Sequence, residues 1–102
     1  MGLGYALMEE IVLDQKGEVV NDHLIDYKIL TPLDMPPVES IIVESMDPIG
    51  PFGAKGVGEM ATIGTPEAVS AAIHNAVGVW VTDLPLTSEK VWMALKKKTE
   101  RR

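Results

Sequence analysis

Three prolines, Pro32, Pro36 and Pro37, followed by four of the chain's nine glycines within nine positions (Gly50, Gly53, Gly56, Gly58), deny a helix to the whole middle of this sequence. Each proline removes a backbone donor and drives the residue before it out of the helical region, so Asn21 to Pro37 is expected as an extended connection. Val38 to Ser45 follows as a strand, because Ile41-Ile42-Val43 at its centre is β-branched. Met46 to Glu59 is the glycine-rich loop. Regular helices are left to the two ends of the chain.

At the N-terminal end, Leu3 and Leu7 have the spacing of one helix face, which predicts a helix over Met1 to Glu10. No Ser, Thr, Asp or Asn precedes it, so the helix is expected to be cut from a longer element. Ile11 to Asp14 and Glu18 to Val20 flank Gln15-Lys16-Gly17 and read as a hairpin. Further on, Thr65-Pro66-Glu67 opens a helix: Thr65 can accept from a free amide, Pro66 needs no donor in the first turn, and Glu67 suits the positive end of the dipole. That helix should run to Val77 and stop at Gly78. Val79 to Thr82 reads as a short strand, and Thr87 or Ser88 caps a last helix with Val91, Trp92 and Leu95 inward. The fold class expected is α+β, short antiparallel strands with two to three helices.

On the helix after Thr65, Val69, Ala72, Ile73, Ala76 and Val77 repeat as one buried face, while Glu67, Ser70 and His74 share the other. His74 is then a solvated residue without a companion at metal-ligand spacing, and His23 beside Asp22 lies in the polar connection. Both tryptophans read as structural. The six methionines are scattered, as gap fillers are.

Composition excludes several function classes. There is no cysteine, hence no thiolate for an iron–sulfur cluster or zinc and no disulfide. No run of eighteen apolar residues and no basic-then-apolar leader is present, so a cytoplasmic address is expected. The net charge is −6, and the basic residues cluster only at Lys96-Lys97-Lys98 and Arg101-Arg102, which argues against nucleic acid. At 46% hydrophobic residues the chain of 102 can bury a core, although a domain this small hides only about two thirds of its unfolded surface.

The chemistry lies in Gly50-Pro51-Phe52-Gly53-Ala54-Lys55-Gly56-Val57-Gly58-Glu59. One reading is a plain turn between a strand and a helix, with Glu59 in water. A phosphate cradle fails because Lys55 is followed by Gly56 where a hydroxyl should stand. A dinucleotide fingerprint fails because the glycine spacings come in the wrong order and Glu59 would oppose a pyrophosphate. What remains is a loop that presents backbone donors together with a carboxylate.

That loop, with Gly2-Leu3-Gly4-Tyr5-Ala6-Leu7-Met8-Glu9-Glu10, Asp26-Tyr27-Lys28-Ile29-Leu30-Thr31, Asp34-Met35-Pro36, Ala71-Ala72-Ile73 with Ala76, and Leu84-Pro85-Leu86-Thr87, resembles the molybdenum hydroxylases of the xanthine dehydrogenase and aldehyde oxidase family. The blocks run in the family's order from end to end of the chain, and Met60 is a small departure where relatives commonly carry proline or serine. The resemblance implies the C-terminal segment of the molybdopterin-binding (large) subunit, with residues 1–102 a single domain or fragment of its cofactor-binding domain. It implies Glu59 as the base that takes the proton of a molybdenum-bound hydroxyl, so that oxygen attacks an electron-poor heteroaromatic or aldehyde carbon. Lys55, Gly56, Val57 and Gly58 would set their amides against the molybdenum cofactor, and no metal ligand is expected from this chain. Iron–sulfur clusters and FAD belong to other segments or subunits, so the partners implied are the remainder of the subunit, iron–sulfur and flavin partners and a small-molecule substrate, without nucleic acid or membrane. The isolated chain is expected to hold no cofactor and to be inactive. The alternative reading is a non-catalytic acidic interaction or scaffold module that retains the family fold.

Overall fold

The computed structural model describes residues 1–100. Four α-helices are present among them: α1 (Gly2–Leu7), α2 (Met60–Ile63), α3 (Thr65–Val77) and α4 (Ser88–Glu100), with a single 3₁₀ turn at Pro51–Gly53. The α+β expectation is not met. No strand forms among the described residues, and the whole β content is one isolated antiparallel bridge, Leu13 to Val19.

At two of the three expected strand regions, Val38–Ser45 and Val79–Thr82, no neighbouring backbone forms a ladder among the described residues, and the hairpin is too short to count as strands. A strand satisfies its N–H and C=O groups only against another strand. Val38–Ser45 carries no regular structure, and Val79–Thr82 is held by single contacts such as the Ser70 hydroxyl donating to the Val81 carbonyl at 2.8 Å. The hairpin pairs over a short stretch, the Val20 amide donating to the Val12 carbonyl and the Asp14 amide to the Glu18 carbonyl at 2.9 Å each, and it tightens at its tip. There the Asp14 carboxylate accepts from the amides of Lys16 and Glu18 at 2.7 and 2.9 Å, and Gly17 turns the chain at φ 84°.

The helices follow local signals more closely. α3 begins and ends where the sequence places it, with Pro66 in its first turn and Gly78 closing it in the left-handed region at φ 69°. Its start is built differently, since Gly64 rather than Thr65 stands at the N-cap and the Thr65 hydroxyl donates to the Ala61 carbonyl at 3.4 Å. α4 starts on the Thr87 hydroxyl, which accepts from the Lys90 amide at 3.3 Å. α1 is shorter than Met1 to Glu10, and its packed residues are Gly2, Gly4 and Ala6 rather than a leucine face.

Those small residues define the closest helix–helix seam among the described residues. A Cβ on Gly2 would stand 2.6 Å from the Cβ of Thr65, so α1 lies directly on the start of α3. The Leu86 amide donates to the Ala6 carbonyl at 2.6 Å and brings in the last connection. The buried apolar side chains are Ala6, Val79, Val81 and Leu86. The expected apolar face of α3 is left largely uncovered, with Ala72, Ala76 and Val77 exposed. Trp92, expected inward, is exposed and carries the Lys96 ammonium 5.5 Å above its ring. His74 is half-buried rather than solvated, stacked on Trp80 with ring centres 4.2 Å apart.

Candidate functional site

Asp47 builds the entrance to the glycine loop. Its carboxylate accepts from the amides of Ile49 at 2.9 Å and Gly50 at 3.3 Å, while its own amide donates to the Gly53 carbonyl at 3.2 Å. Aspartate side chains fold back on their own backbone in this way and so start turns. Two more bonds complete it, from the Gly53 amide to the Gly50 carbonyl and from the Ala54 amide to the Pro51 carbonyl. Phe52 (φ 55°) and Gly53 (φ 73°) are the left-handed residues. Gly50 is required by crowding, as a Cβ there would lie 2.6 Å from the Ala54 carbonyl oxygen.

Beyond that turn the loop opens. Lys55, Gly56, Val57 and Gly58 are exposed, and their amides donate to no group among the described residues. Gly56 and Gly58 do not take the left-handed conformation, and a Cβ at either would meet nothing within 4 Å. The value of those glycines is therefore open approach to the backbone. Such a run of free amide donors is chemically suited to oxygen atoms of a bound group, as helix N-termini and backbone nests are.

Glu59 terminates the loop at the N-cap of α2. Its carbonyl accepts from the Thr62 amide at 2.9 Å and the Thr62 hydroxyl at 2.7 Å. The Thr62 carbonyl in turn accepts from the Tyr5 hydroxyl at 2.7 Å. The backbone that carries Glu59 is thus fastened to α1 through one helical turn. Its carboxylate is exposed and makes no hydrogen bond or ion pair among the described residues, and the same holds for the Lys55 ammonium.

The five residues expected from the sequence, Lys55 to Glu59, are consecutive, and all five are exposed. Asp47, Tyr5 and Thr62 are the contributors that the sequence reading missed. Asp47 was legible from its Asp-Pro step, which starts turns. Tyr5 and Thr62, 57 positions apart, were not.

Comparison with known proteins places the chain in a family. Residues 1–36 match the family described as "Molybdopterin cofactor-binding domain". The aldehyde oxidoreductase molybdenum-binding subunit PaoC of Escherichia coli (strain K12) is 41% identical over 93 residues, which is 89% of this chain and 13% of that protein. The putative xanthine dehydrogenase molybdenum-binding subunit XdhA of the same organism is also 41% identical, over 90% of this chain and 12% of its own length. Among solved structures, quinoline 2-oxidoreductase from Pseudomonas putida 86 superposes on 94% of this chain with a TM-score of 0.81 and 34% identity, using 13% of that chain. The chain belongs to the xanthine dehydrogenase and aldehyde oxidase family of molybdenum hydroxylases, as a segment of the molybdenum-binding subunit. It spans only 10% to 13% of the length of the curated relatives it matches.

Proposed function

We propose that this chain supplies the catalytic base and part of the cofactor contact of a molybdenum hydroxylase. A molybdopterin-type cofactor, when bound in the complete enzyme, supplies the redox centre at which an electron-poor carbon is hydroxylated. The single observation that supports the reading is the continuity of the loop: four amides free to donate at Lys55 to Gly58 run directly into the Glu59 carboxylate, on a backbone fixed by Thr62 and Tyr5.

In this reading the amides of Lys55, Gly56, Val57 and Gly58 donate to oxygen atoms of the cofactor as donors already in place, which costs no reorganisation during the reaction. The Glu59 carboxylate accepts a proton from the attacking oxygen nucleophile. A carboxylate serves when it is ionised at rest yet basic enough to keep the proton. Iron–sulfur and flavin carriers would be held by other segments or subunits, since this chain has no cysteine to hold a cluster. The substrate class is a heteroaromatic or aldehyde carbon, in keeping with relatives named for an aldehyde and for quinoline.

The test is Glu59→Gln in the complete molybdenum-binding subunit. Glutamine keeps the reach of the side chain but not its basicity. Turnover per bound molybdenum should fall ~10²–10⁴-fold, the range for general-base catalysis, with cofactor content unchanged. A variant that loses molybdenum but keeps a normal rate per remaining site would make Glu59 a loop-holding residue only.

A further inference from the structure

We infer that Tyr5 and Thr62 are positioning residues for the Glu59 carboxylate, a role that rests on Glu59 being the base, and that the Tyr5 hydroxyl takes the place of a backbone donor that Pro66 lacks.

α2 ends at Ile63 and α3 begins at Thr65, and a helix continuous through both would pair the Thr62 carbonyl with the amide four residues on. That residue is Pro66, which has no N–H to give and whose ring crowds the carbonyl it would have served. The donor comes instead from α1: the half-buried Tyr5 hydroxyl donates to the Thr62 carbonyl at 2.7 Å. Gly2 permits the approach, since a Cβ there would stand 3.1 Å from the same carbonyl oxygen. Tyr5→Phe would keep the ring and lose only that donor.

Thr62 carries this anchorage to Glu59. Its amide and its hydroxyl both donate to the Glu59 carbonyl, at 2.9 and 2.7 Å. On the other side of Glu59 the backbone of Lys55 to Gly58 makes no hydrogen bond among the described residues, so the backbone of Glu59 is held in place from the Thr62 side. A base works only where it meets the proton it takes, and a misplacement of about 1 Å caused far from the chemistry can cost ~10²-fold in rate. Tyr5 touches neither the loop nor its carboxylate, yet two hydrogen-bonded steps connect it to the backbone that aims that carboxylate.

A double-mutant cycle in the complete enzyme tests this, with Tyr5→Phe and Glu59→Gln made singly and together and every rate taken per bound molybdenum. Tyr5→Phe should lower kcat ~10–100-fold at unchanged KM, and should have no further effect once Glu59→Gln is present, because no base is left to place. Amide exchange in the same enzyme needs no turnover: Tyr5→Phe should speed exchange of the Thr62 amide about tenfold, the weight of one hydrogen bond. Should Tyr5→Phe hold too little molybdenum for a rate, Thr62→Val, which removes the hydroxyl bond to Glu59 and keeps the carbonyl that Tyr5 reaches, should show the same dependence on Glu59. A normal kcat in both variants, or equal losses with and without Glu59→Gln, would overturn the positioning role and leave Glu59 as the base. A normal rate in Glu59→Gln itself would remove the base, and the positioning role with it.

Discussion

At the scale of single residues, the closest packing in the molecule is made by absent side chains. Gly2 would place a Cβ against Thr65 and 3.1 Å from the Thr62 carbonyl oxygen, whereas Gly4 would meet only the far end of the Glu9 side chain. Gly2→Ala should therefore destabilise α1 docking by about 1–3 kcal/mol, as overpacking does. Gly4→Ala should cost less, because Glu9 can swing away. Urea denaturation followed by helical circular dichroism separates the two, and equal losses would contradict the packing described. Glu9 also accepts from the Tyr27 hydroxyl at 3.2 Å, and Tyr27 titrates above its usual range through burial first and that bond second. Asp34 moves the other way: the Thr31 hydroxyl and then the Thr31 amide, bonded to its carboxylate at 2.6 and 2.8 Å, hold its pKa below the ordinary 3.8. A lowered native pKa means that the turn is supported above the unfolded value and loses support as pH falls through the native one. The Thr31 amide resonance should accordingly titrate with a midpoint below 3.8, and a midpoint at or above that value would contradict the bonding. The sequence reading took Leu3 and Leu7 as the contact face of α1. It missed the glycines because close backbone approach depends on what lies across the seam.

At the scale of elements, legibility divides by how local the cause is. Pro66 and Gly78 bracket α3, and Thr87 starts α4, through bonds within a few residues, so those boundaries were readable. The expected strands were not realised, because a strand is completed by backbone from elsewhere, and here only Leu13 and Val19 find each other. The loop from Lys55 to Glu59 was legible as a unit from its glycine spacing, whereas its support from Tyr5 was not. α4 shows how little joins the parts. The Lys98 ammonium donates to the Val77 and Gly78 carbonyls at 3.1 and 3.0 Å, across the C-terminal end of α3. A cation at that position also faces the negative end of the α3 dipole. Lys98→Met, which keeps the apolar stem, should loosen α4 from α3 by roughly 0.5–1.5 kcal/mol, the net value of an intramolecular hydrogen bond. Thr87→Ala should shorten α4 at its start at a cost of about 1 kcal/mol. Amide exchange resolves them: the Lys98 variant should speed exchange near Gly78, and the Thr87 variant near Lys90.

At the scale of the whole molecule, the radius of gyration of 18.4 Å is well beyond the ~13 Å expected of a closed domain of about 100 residues. The long dimension reaches 57 Å. No helix among the described residues is long and apolar enough to cross a membrane, so the exposed apolar surface does not belong to a spanning helix. That surface is large: Ile41, Ile42, Val43, Ile49 and Phe52 are all more than four-fifths exposed, and a cleft of about 300 Å³ lies open between Pro66, Ser70, Trp80 and Leu84. Contiguous apolar area on this scale marks a contact surface, and water alone does not stabilise it. The chain taken by itself should therefore bind a hydrophobic dye and associate as its concentration rises. In the intact subunit the same surface should be covered and dye binding by this segment lost. The measurement is small-angle scattering with dye fluorescence on the chain alone over a dilution series. A chain that stays monomeric, scatters as a closed ~13 Å body and binds no dye would show that these elements fold onto themselves, and would contradict the open arrangement of the chain.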